Sequence, residues 1–246
     1  MIKKYLKIFF KILGYEISKI KNNYKQINFD DIYKKKIKNK NPLIFDVGAN
    51  RGQSIYRFSN LFPNSIIHAF EPIKSELLKI KKKDNLFLNN FALGEANYER
   101  DFFETIQTEN SSFYKINKNS KWLEIRSEEF QTTQEKFTTN IKKIKIETLN
   151  DYCSLRKISN IDILKIDTQG YEEKVLIGAN KILDKIKFIE VEIMLDDVYE
   201  KKLSFFDIES ILNNKFKLVG LKIHNFNNIY EGYMFVVDAL YENLDN

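Results

Sequence analysis

Residues 43–52 read LIFDVGANRG, and the predicted fold follows from this stretch. Its first five residues form a short apolar run after Asn41-Pro42, which is typical of a buried strand. Gly48 and Gly52 then permit a tight turn and let a ligand approach the backbone. Apolar residues at helical spacing follow and stop at Pro63. The segment therefore predicts a strand, a glycine-containing turn and a helix in direct succession.

The alternation of strands and helices continues along the chain. Further strands are predicted at 65–70, 86–91, 144–147, 161–167, 188–193, 216–221 and 233–238. Further helices are predicted at 75–83, 149–155, 171–183 and 204–212. The last of these helices opens on Ser204 and Asp207, which resemble a capping box with Asp in place of Glu. Such alternation favours a mostly parallel sheet with helices on both faces.

The composition sets limits on the class of protein. The chain has 246 residues, which suits one large α/β domain or two small ones. Its net charge of +6 suits an anionic partner, although an AT-rich source genome would give the same excess of Lys and Asn. Cys153 is the single cysteine, so an intramolecular disulfide is excluded and a reducing, cytoplasmic setting is expected. Two histidines, His68 and His224, disfavour a histidine-based metal site.

The N-terminal residues carry a separate signal. Lysines interrupt residues 1–13 too often for a transmembrane helix, and no signal-peptide pattern is present. The lysines and the apolar residues there fall on separate helical faces, so this helix can lie on an anionic membrane or pack on its own domain. Residues 19–40 are interpreted as a surface connection. We predict a basic amphipathic helical extension at 1–40 and a catalytic domain at 41–246, with a polar insertion at about 95–150.

The turn after the first strand is the predicted cofactor site, because ligands of open α/β sheets bind beyond the carboxyl ends of the strands. Asn50 and Ser54 break the G-x-G-x-x-G pattern of dinucleotide-binding proteins. The Asp46 carboxylate would repel a pyrophosphate, but it suits the positively charged sulfonium and ammonium groups of S-adenosylmethionine. Glu71, at the end of the next strand, can accept hydrogen bonds from a ribose. We therefore predict S-adenosylmethionine rather than a nicotinamide cofactor. The predicted cofactor residues are Asp46, Gly48, Ala49, Asn50, Gly52, Glu71, Asn90 and Ala92.

Several motifs resemble those of the FkbM family of methyltransferases. They are FDVGANRGQ at 45–53, FEP at 70–72, NFALG at 90–94 and IDILKIDTQGYE at 161–172, followed by VLIGA at 175–179. The resemblance covers roughly residues 43–240, with one departure: many family members have Glu where this chain has Gln169. It implies a Rossmann-like class I methyltransferase fold, with a seven-stranded, mostly parallel sheet and an antiparallel edge. It also implies acceptors among secondary metabolites or surface glycans.

Three residues are predicted to act in the chemistry. Methyl transfer is an in-line displacement, and a hydroxyl nucleophile benefits from a general base. Asp167 is the candidate base because it ends a central strand; its alternative role is to cap the next helix or to position other groups. Lys165 faces the same side and can orient or neutralise Asp167. Glu192, with Glu190 on the same face, can pair with Lys165 or bind a sugar. Two carboxylates alone do not predict a metal.

The predicted function is O-methylation of a hydroxyl on a sugar of a surface glycan or a related small molecule. One alternative is RNA methylation, which the net charge allows; however, the lysines are dispersed and no RNA-binding module is evident, so no nucleic acid is expected. A second alternative is a membrane-associated binding module that has lost catalysis. Residues 95–150 and the loop near Asp196-Asp197 are expected to select the acceptor. They carry no chemical signature that names it.

Overall fold

The computed structural model describes residues 27–224 and 235–245. Within these residues the strands are β1 (Leu43–Val47), β2 (Ile66–Phe70), β3 (Leu86–Asn89), β4 (Ala92–Leu93), β5 (Tyr98–Thr105), β6 (Thr138–Glu147), β7 (Ile161–Ile166), β8 (Ile186–Met194), β9 (Phe216–His224) and β10 (Val236–Asn243). The helices are α1 (Phe29–Lys36), α2 (Gln53–Leu61), α3 (Lys74–Leu77), α4 (Lys121–Glu129), α5 (Gln134–Phe137), α6 (Leu149–Arg156), α7 (Glu172–Ile177) and α8 (Phe205–Leu212). The helix predicted at residues 1–13 lies outside the described residues.

Seven strands form one sheet in the order β3-β2-β1-β7-β8-β10-β9. Its first five strands run parallel, whereas β10 is antiparallel to both β8 and β9. The central strands are buried on both faces, which explains why β1 and β7 appear in the sequence as continuous apolar runs. This topology confirms the predicted Rossmann-like class I methyltransferase fold with an antiparallel edge.

Helices cover both faces of this sheet. Alternate residues of β1 point to opposite sides, so Phe45 belongs to one core cluster and Ile44 to the other. Residues of α6, α7 and α8 pack in the first cluster, and residues of α1 and α2 pack in the second. The capping box of α8 is present as predicted, with the Ser204 and Asp207 side chains each accepting from the other's backbone N–H. In the described part of the chain, none of the helices is long and apolar enough to cross a bilayer.

Helix α1 corrects the interpretation of residues 19–40 as a surface connection. Phe29, Tyr33 and Ile37 are buried against the sheet, at a spacing of four residues. Asn28 caps this helix, because its side-chain oxygen accepts from the Asp30 N–H at 3.0 Å. The intervening residues are mostly charged and exposed, so the composition of the segment conceals its apolar face. At least this part of the proposed extension is therefore integral to the domain.

The insertion at about 95–150 is more regular than its polar sequence suggests. Strands β5 and β6 pair antiparallel, and the short β4 joins them in a second, three-stranded sheet. A strand was predicted at 144–147, whereas β6 has ten residues. Trp122 lies in α4, a helix that the sequence did not predict and that Ser120 caps. Trp122 and Phe137 pack with Met194 at the end of β8, so the insertion covers the carboxyl edge of the main sheet.

Candidate active site

A cavity of about 470 Å³ lies at the carboxyl ends of β1, β2, β7 and β8. This is the edge at which open α/β sheets bind their ligands. The predicted site residues that line it are Gly48, Ala49, Asn50, Glu71, Ala92, Lys165, Asp167 and Glu192. The other three, Asp46, Gly52 and Asn90, do not line it. The fold thus brings both halves of the predicted site, cofactor and catalytic, to one cavity.

The turn after β1 requires its glycines. Gly48 has a φ of +85°, and a Cβ there would lie 1.8 Å from the carbonyl oxygen of Asp167. Because no side chain fits in that space, glycine alone lets the β1 turn lie against the residues that follow β7. Gly52 also has a positive φ, of +86°, and it precedes the first residue of α2. Its role is to shape the turn, not to line the cavity.

Glu71 is held by this same turn. Its carboxylate is buried and accepts from the backbone N–H groups of Asn50 at 2.8 Å and Ile73 at 2.7 Å. Burial raises the pKa of Glu71 to about 7, although both backbone hydrogen bonds oppose that shift. Asn90, in contrast, donates to the carbonyl oxygens of Glu71 and Pro72 at 3.0 and 2.9 Å. Its amide therefore stabilises the turn after β2.

Asp46 has a different environment from the one expected. It is fully buried, and neither carboxylate oxygen has a hydrogen-bond partner among the described residues. The nearest cation is the Lys165 ammonium, 3.9 Å from Oδ1. Burial raises the pKa of Asp46 to about 6, and Lys165 opposes the shift. Because Asp46 lies beneath the cavity and does not line it, it can influence a bound cation through its field but has no surface for direct contact.

Asp167 lies at the centre of the predicted catalytic group. Its carboxylate accepts from the Lys165 ammonium at 3.1 Å and from the Gln169 amide at 2.9 Å. Burial raises the pKa of Asp167, but Lys165 and the hydrogen bonds from Glu192 and Gln169 outweigh burial, so the net shift is downward. Burial and the neighbouring Asp167 raise the pKa of Glu192. At neutral pH the arrangement therefore favours an ionised Asp167 beside a protonated Glu192.

The alternative role of Asp167 as a helix cap is wrong, because the N-cap position of α7 is Tyr171, four residues later. The loop between β7 and α7 is instead held by Glu172. Its buried carboxylate accepts from the backbone N–H groups of Thr168 at 2.8 Å and Gly170 at 3.0 Å. Burial raises the pKa of Glu172 to about 7, again against these bonds. This clamp fixes the segment that carries Asp167 and Gln169.

The insertion supplies much of the cavity wall, and its individual residues could not be identified from the sequence. They are Phe102, Gln107, Thr108, Glu109, Asn110, Ser111, Phe113, Trp122 and Arg126. The sequence offered only the position of the insertion as a signal, because these residues are scattered over strands, loop and helix. The Asp196-Asp197 loop does not line the cavity. Among the described residues, no group of three His, Cys, Asp or Glu side chains could hold a metal ion.

The residues present fit a nucleoside-containing methyl donor. Asn50 Oδ1 is buried and lacks a hydrogen-bond partner within the described part of the chain, so it offers an acceptor for a hydroxyl or amine. Glu71 offers a second acceptor at the end of β2, where a ribose is expected. Ile73, Ala92 and Phe113 provide an apolar wall for a planar base. The volume also falls within the range of cofactor pockets.

Comparison with known proteins agrees with this geometry. The family model described as the methyltransferase FkbM domain matches residues 46–218. A 2-O-methyltransferase named NoeI, from Sinorhizobium fredii (strain NBRC 101917 / NGR234), is 26% identical over 183 residues, which cover 73% of this chain and 74% of that protein.

The crystal structure of the methyltransferase FkbM from Methylobacillus flagellatus KT has a similar fold, with a TM-score of 0.50 and 13% identity. The similarity covers 81% of this chain but only 44% of that larger one. At this identity the likeness supports the fold, and the match to the family model identifies the family. The chain belongs to the FkbM methyltransferase family and is a methyltransferase whose methyl donor is S-adenosylmethionine.

Proposed function

We propose that this enzyme methylates a hydroxyl oxygen of a sugar, in a surface glycan or a related small molecule. The observation that carries the proposal is the position of the Asp167 carboxylate, which lines the same cavity as the Gly48 turn. A proton acceptor beside the methyl donor is what transfer to a hydroxyl requires. The similarity to a protein described as a 2-O-methyltransferase supports an oxygen acceptor.

In the proposed mechanism, the chain's residues orient two ligands and receive one proton. S-adenosylmethionine supplies an electrophilic methyl carbon on a sulfonium. Glu71 and Asn50 hold the donor's polar groups, while the cavity walls keep the acceptor hydroxyl in line, which can lower the barrier by about 7–11 kcal/mol. As the oxygen–carbon bond forms and the carbon–sulfur bond breaks, the hydroxyl proton passes to Asp167. The sulfur retains the electron pair of the broken bond.

The lowered pKa of Asp167 is compatible with this role. A hydroxyl oxygen becomes strongly acidic as it gains a methyl group, so a weak base suffices if it is ionised when transfer occurs. Lys165 ensures that state through its 3.1 Å contact with the Asp167 carboxylate. Neighbouring carboxylates and the contact with Asp167 outweigh burial and raise the pKa of Lys165, so its charge persists at neutral pH. Lys165 thus positions and ionises Asp167, and Glu192 beside them can hydrogen-bond the sugar.

The acceptor is proposed to enter beside the insertion. Trp122 and Phe235 give that end of the cavity an aromatic surface, and Arg126, Glu109 and Glu192 add polar groups. Sugars present both apolar C–H faces and hydroxyl groups, so a wall of this kind suits them.

We also propose a cytoplasmic enzyme whose basic residues 1–13 contact an anionic membrane. Binding of the full chain to phosphatidylglycerol vesicles, compared with phosphatidylcholine vesicles, tests that part.

The central experiment is mass spectrometry of the host's surface glycans with and without this protein. We expect the loss of one 14-dalton increment (one CH₂) when the protein is absent. The purified Asp167→Asn variant should then methylate the identified acceptor about 10²–10⁴-fold more slowly than wild type. The Glu173→Gln change serves as the matched control, because Glu173 is half-buried on α7 and does not line the cavity. Unchanged glycans together with methylated RNA would contradict the proposal and favour the RNA alternative. An Asp167→Asn variant as fast as wild type would reject the proposed base.

A further inference from the structure

We infer that Gln169 is a positioning residue, whose amide is oriented by Tyr199 and holds the carboxyl groups of Asp167 and Glu192 together in the cavity. The inference rests on the proposed role of Asp167 as proton acceptor. Gln169 contacts this residue directly and would act on the reaction through it.

The amide of Gln169 bridges the two carboxyl groups. Its Nε2 atom donates to Asp167 Oδ1 at 2.9 Å and to Glu192 Oε2 at 2.8 Å. An amide nitrogen carries two protons, so each carboxyl group can receive one. The protonated Glu192 also hydrogen-bonds the ionised Asp167, so the amide adds a second link between the two carboxyl groups. The bridge therefore helps to fix the separation of the pair and the position of the Asp167 oxygen.

Tyr199 contacts the oxygen end of the amide. The Tyr199 side chain is buried, and its hydroxyl lies 3.1 Å from Gln169 Oε1 and 3.0 Å from the carbonyl oxygen of Asn110. The ionised Asp167 carboxylate can only accept, so Nε2 faces the carboxyl groups and Oε1 faces Tyr199. The single Tyr199 hydroxyl proton serves either carbonyl oxygen, and it reinforces this orientation when it is donated to Oε1. Asn110 belongs to the insertion, so the insertion contributes to the orientation of the catalytic group.

The backbone of Gln169 is also constrained. Its φ is +58°, a left-handed conformation that is uncommon for residues other than glycine. Ser112 Oγ donates to the Gln169 carbonyl oxygen at 2.7 Å, and Glu172 binds the N–H groups on either side. A strained conformation persists only where its surroundings hold it, and such positions concentrate at functional sites. Three side-chain hydrogen bonds and the backbone bond from Ser112 thus fix this residue in place.

Several other ionisable groups act on the pair and must be considered in any titration. They are Lys165, Asp46, Asp238, Glu172 and Tyr199, and Glu190 in turn acts on Lys165 and Asp46. The amide bonds of Gln169 favour the ionised form of Asp167 in addition to the effect of Lys165. Removing the amide should therefore make Asp167 easier to protonate, whereas a change elsewhere in the core should not. This difference separates a positioning role from a merely structural one.

The test uses three variants: Gln169→Leu, which removes the amide; Tyr199→Phe, which removes its orienting donor; and Tyr152→Phe as the control. Tyr152 matches Tyr199 because it is buried and its hydroxyl has two polar partners, His68 and Asn89, but it does not line the cavity. Carbon-13 NMR of labelled aspartate carboxyl groups follows the titration of Asp167 in the absence of a methyl acceptor. The Asp167 signal is assigned as the one that is missing from the spectrum of Asp167→Asn. Binding of S-adenosylhomocysteine confirms that each variant is folded.

We expect the Asp167 titration to move to higher pH in Gln169→Leu, and by less in Tyr199→Phe, with Tyr152→Phe unchanged. With an acceptor identified, kcat should fall roughly 3–10-fold for each lost hydrogen bond, with KM for the donor preserved. An Asp167 titration that stays in place in both variants overturns the inference, as does an unchanged kcat. If the titration moves but the wild-type enzyme methylates no hydroxyl, the proposed function fails and the hydrogen-bond bridge stands.

Discussion

At the scale of single residues, unusual backbone conformations concentrate around the cavity. Gly48, Asn50, Gln169 and Gly170 all have positive φ values, and they lie in the two loops that meet at the carboxyl edge of the sheet. These loops touch where Gly48 passes the Asp167 carbonyl group. The close approach brings the predicted cofactor turn to the segment that carries the proposed base, so the strain is a consequence of bringing the two loops together.

Gly48→Ala should therefore be more damaging than another glycine substitution in the same strained region. We expect it to lower the free energy of unfolding by about 2–5 kcal/mol, because it adds backbone strain and a steric clash with Asp167. Gly170→Ala is the comparison, since it has a similar φ of +98° but only ordinary contacts around a new Cβ. Urea denaturation of both variants measures the difference. Equal losses of unfolding free energy in the two variants would show that the steric clash between a Cβ at position 48 and Asp167 contributes little.

Glu71 should make stability depend on pH. Its folded pKa is about 7, against an ordinary value of 4.5, so between these values the folded state retains a proton that the unfolded chain releases. Stability from this group is complete below about pH 4.5 and declines as pH rises through 7. Glu71→Gln stays neutral and should lose less stability than wild type over that interval. Denaturation at several pH values tests this, with Glu124→Gln on the exposed face of α4 as control. Parallel curves of unfolding free energy against pH for wild type and Glu71→Gln would contradict this prediction.

At the scale of elements, α1 and the insertion are the parts that modify the common fold. Helix α1 packs beneath the sheet, where the Tyr33 hydroxyl donates to Glu190 at 2.7 Å and Arg57 joins the same carboxylate at 2.6 Å. The insertion covers the opposite end, over the cavity. Helix α1 therefore stabilises the charged interior of the sheet, whereas the insertion encloses the site.

Phe29 should anchor α1 to the domain. Its ring lies against Gly220 of β9, where a Cβ would come within 2.8 Å of the ring. Phe29→Ala should lower the free energy of unfolding by about 3–5 kcal/mol, since it leaves a cavity between the helix and the sheet. Lys35→Ala, on the exposed face of α1, should change it by less than about 0.5 kcal/mol. Thermal or urea unfolding measures both. Similar effects of the two changes would show that α1 is only loosely attached.

At the scale of the whole molecule, the cavity connects distant parts of the chain. Its lining runs from Val47 to Val236 and includes five strands of the main sheet as well as the insertion. No one of these segments forms the cavity alone. A ligand bound there should consequently stabilise the folded state as a unit.

Binding of S-adenosylhomocysteine should raise the free energy of unfolding by about 2.7 kcal/mol at a free concentration 100 times its Kd. The ligand binds only where the turn after β1, Glu71 and the apolar wall are assembled. Calorimetry gives the Kd, and denaturation with and without the ligand gives the shift. NAD is the control and should give no comparable stabilisation. Stabilisation by NAD alone would contradict the assignment of the cofactor residues.

The sequence alone was enough to predict a mostly parallel sheet, the positions of its buried strands along the chain and the turn after β1. These features depend on local patterns, such as apolar runs, glycine at a tight turn and the Ser204 capping box, which act over a few residues. The same locality explains why Asp167 and Glu71 could be identified: each directly follows a buried strand, and parallel strands end at the same edge. The β7 motif and the family resemblance pointed to the same positions.

The side chains that reach the cavity, and the contacts that hold them, could be identified only in the folded structure. Asp46 is buried beneath the cavity and Asn90 bonds to backbone, because the exact direction of a side chain depends on neighbouring strands. Gln169 and Tyr199 are 30 residues apart, and Tyr199 meets Asn110 across 89 residues. Contacts at such separations leave no periodic trace in the sequence, since they form only when the insertion folds over the sheet.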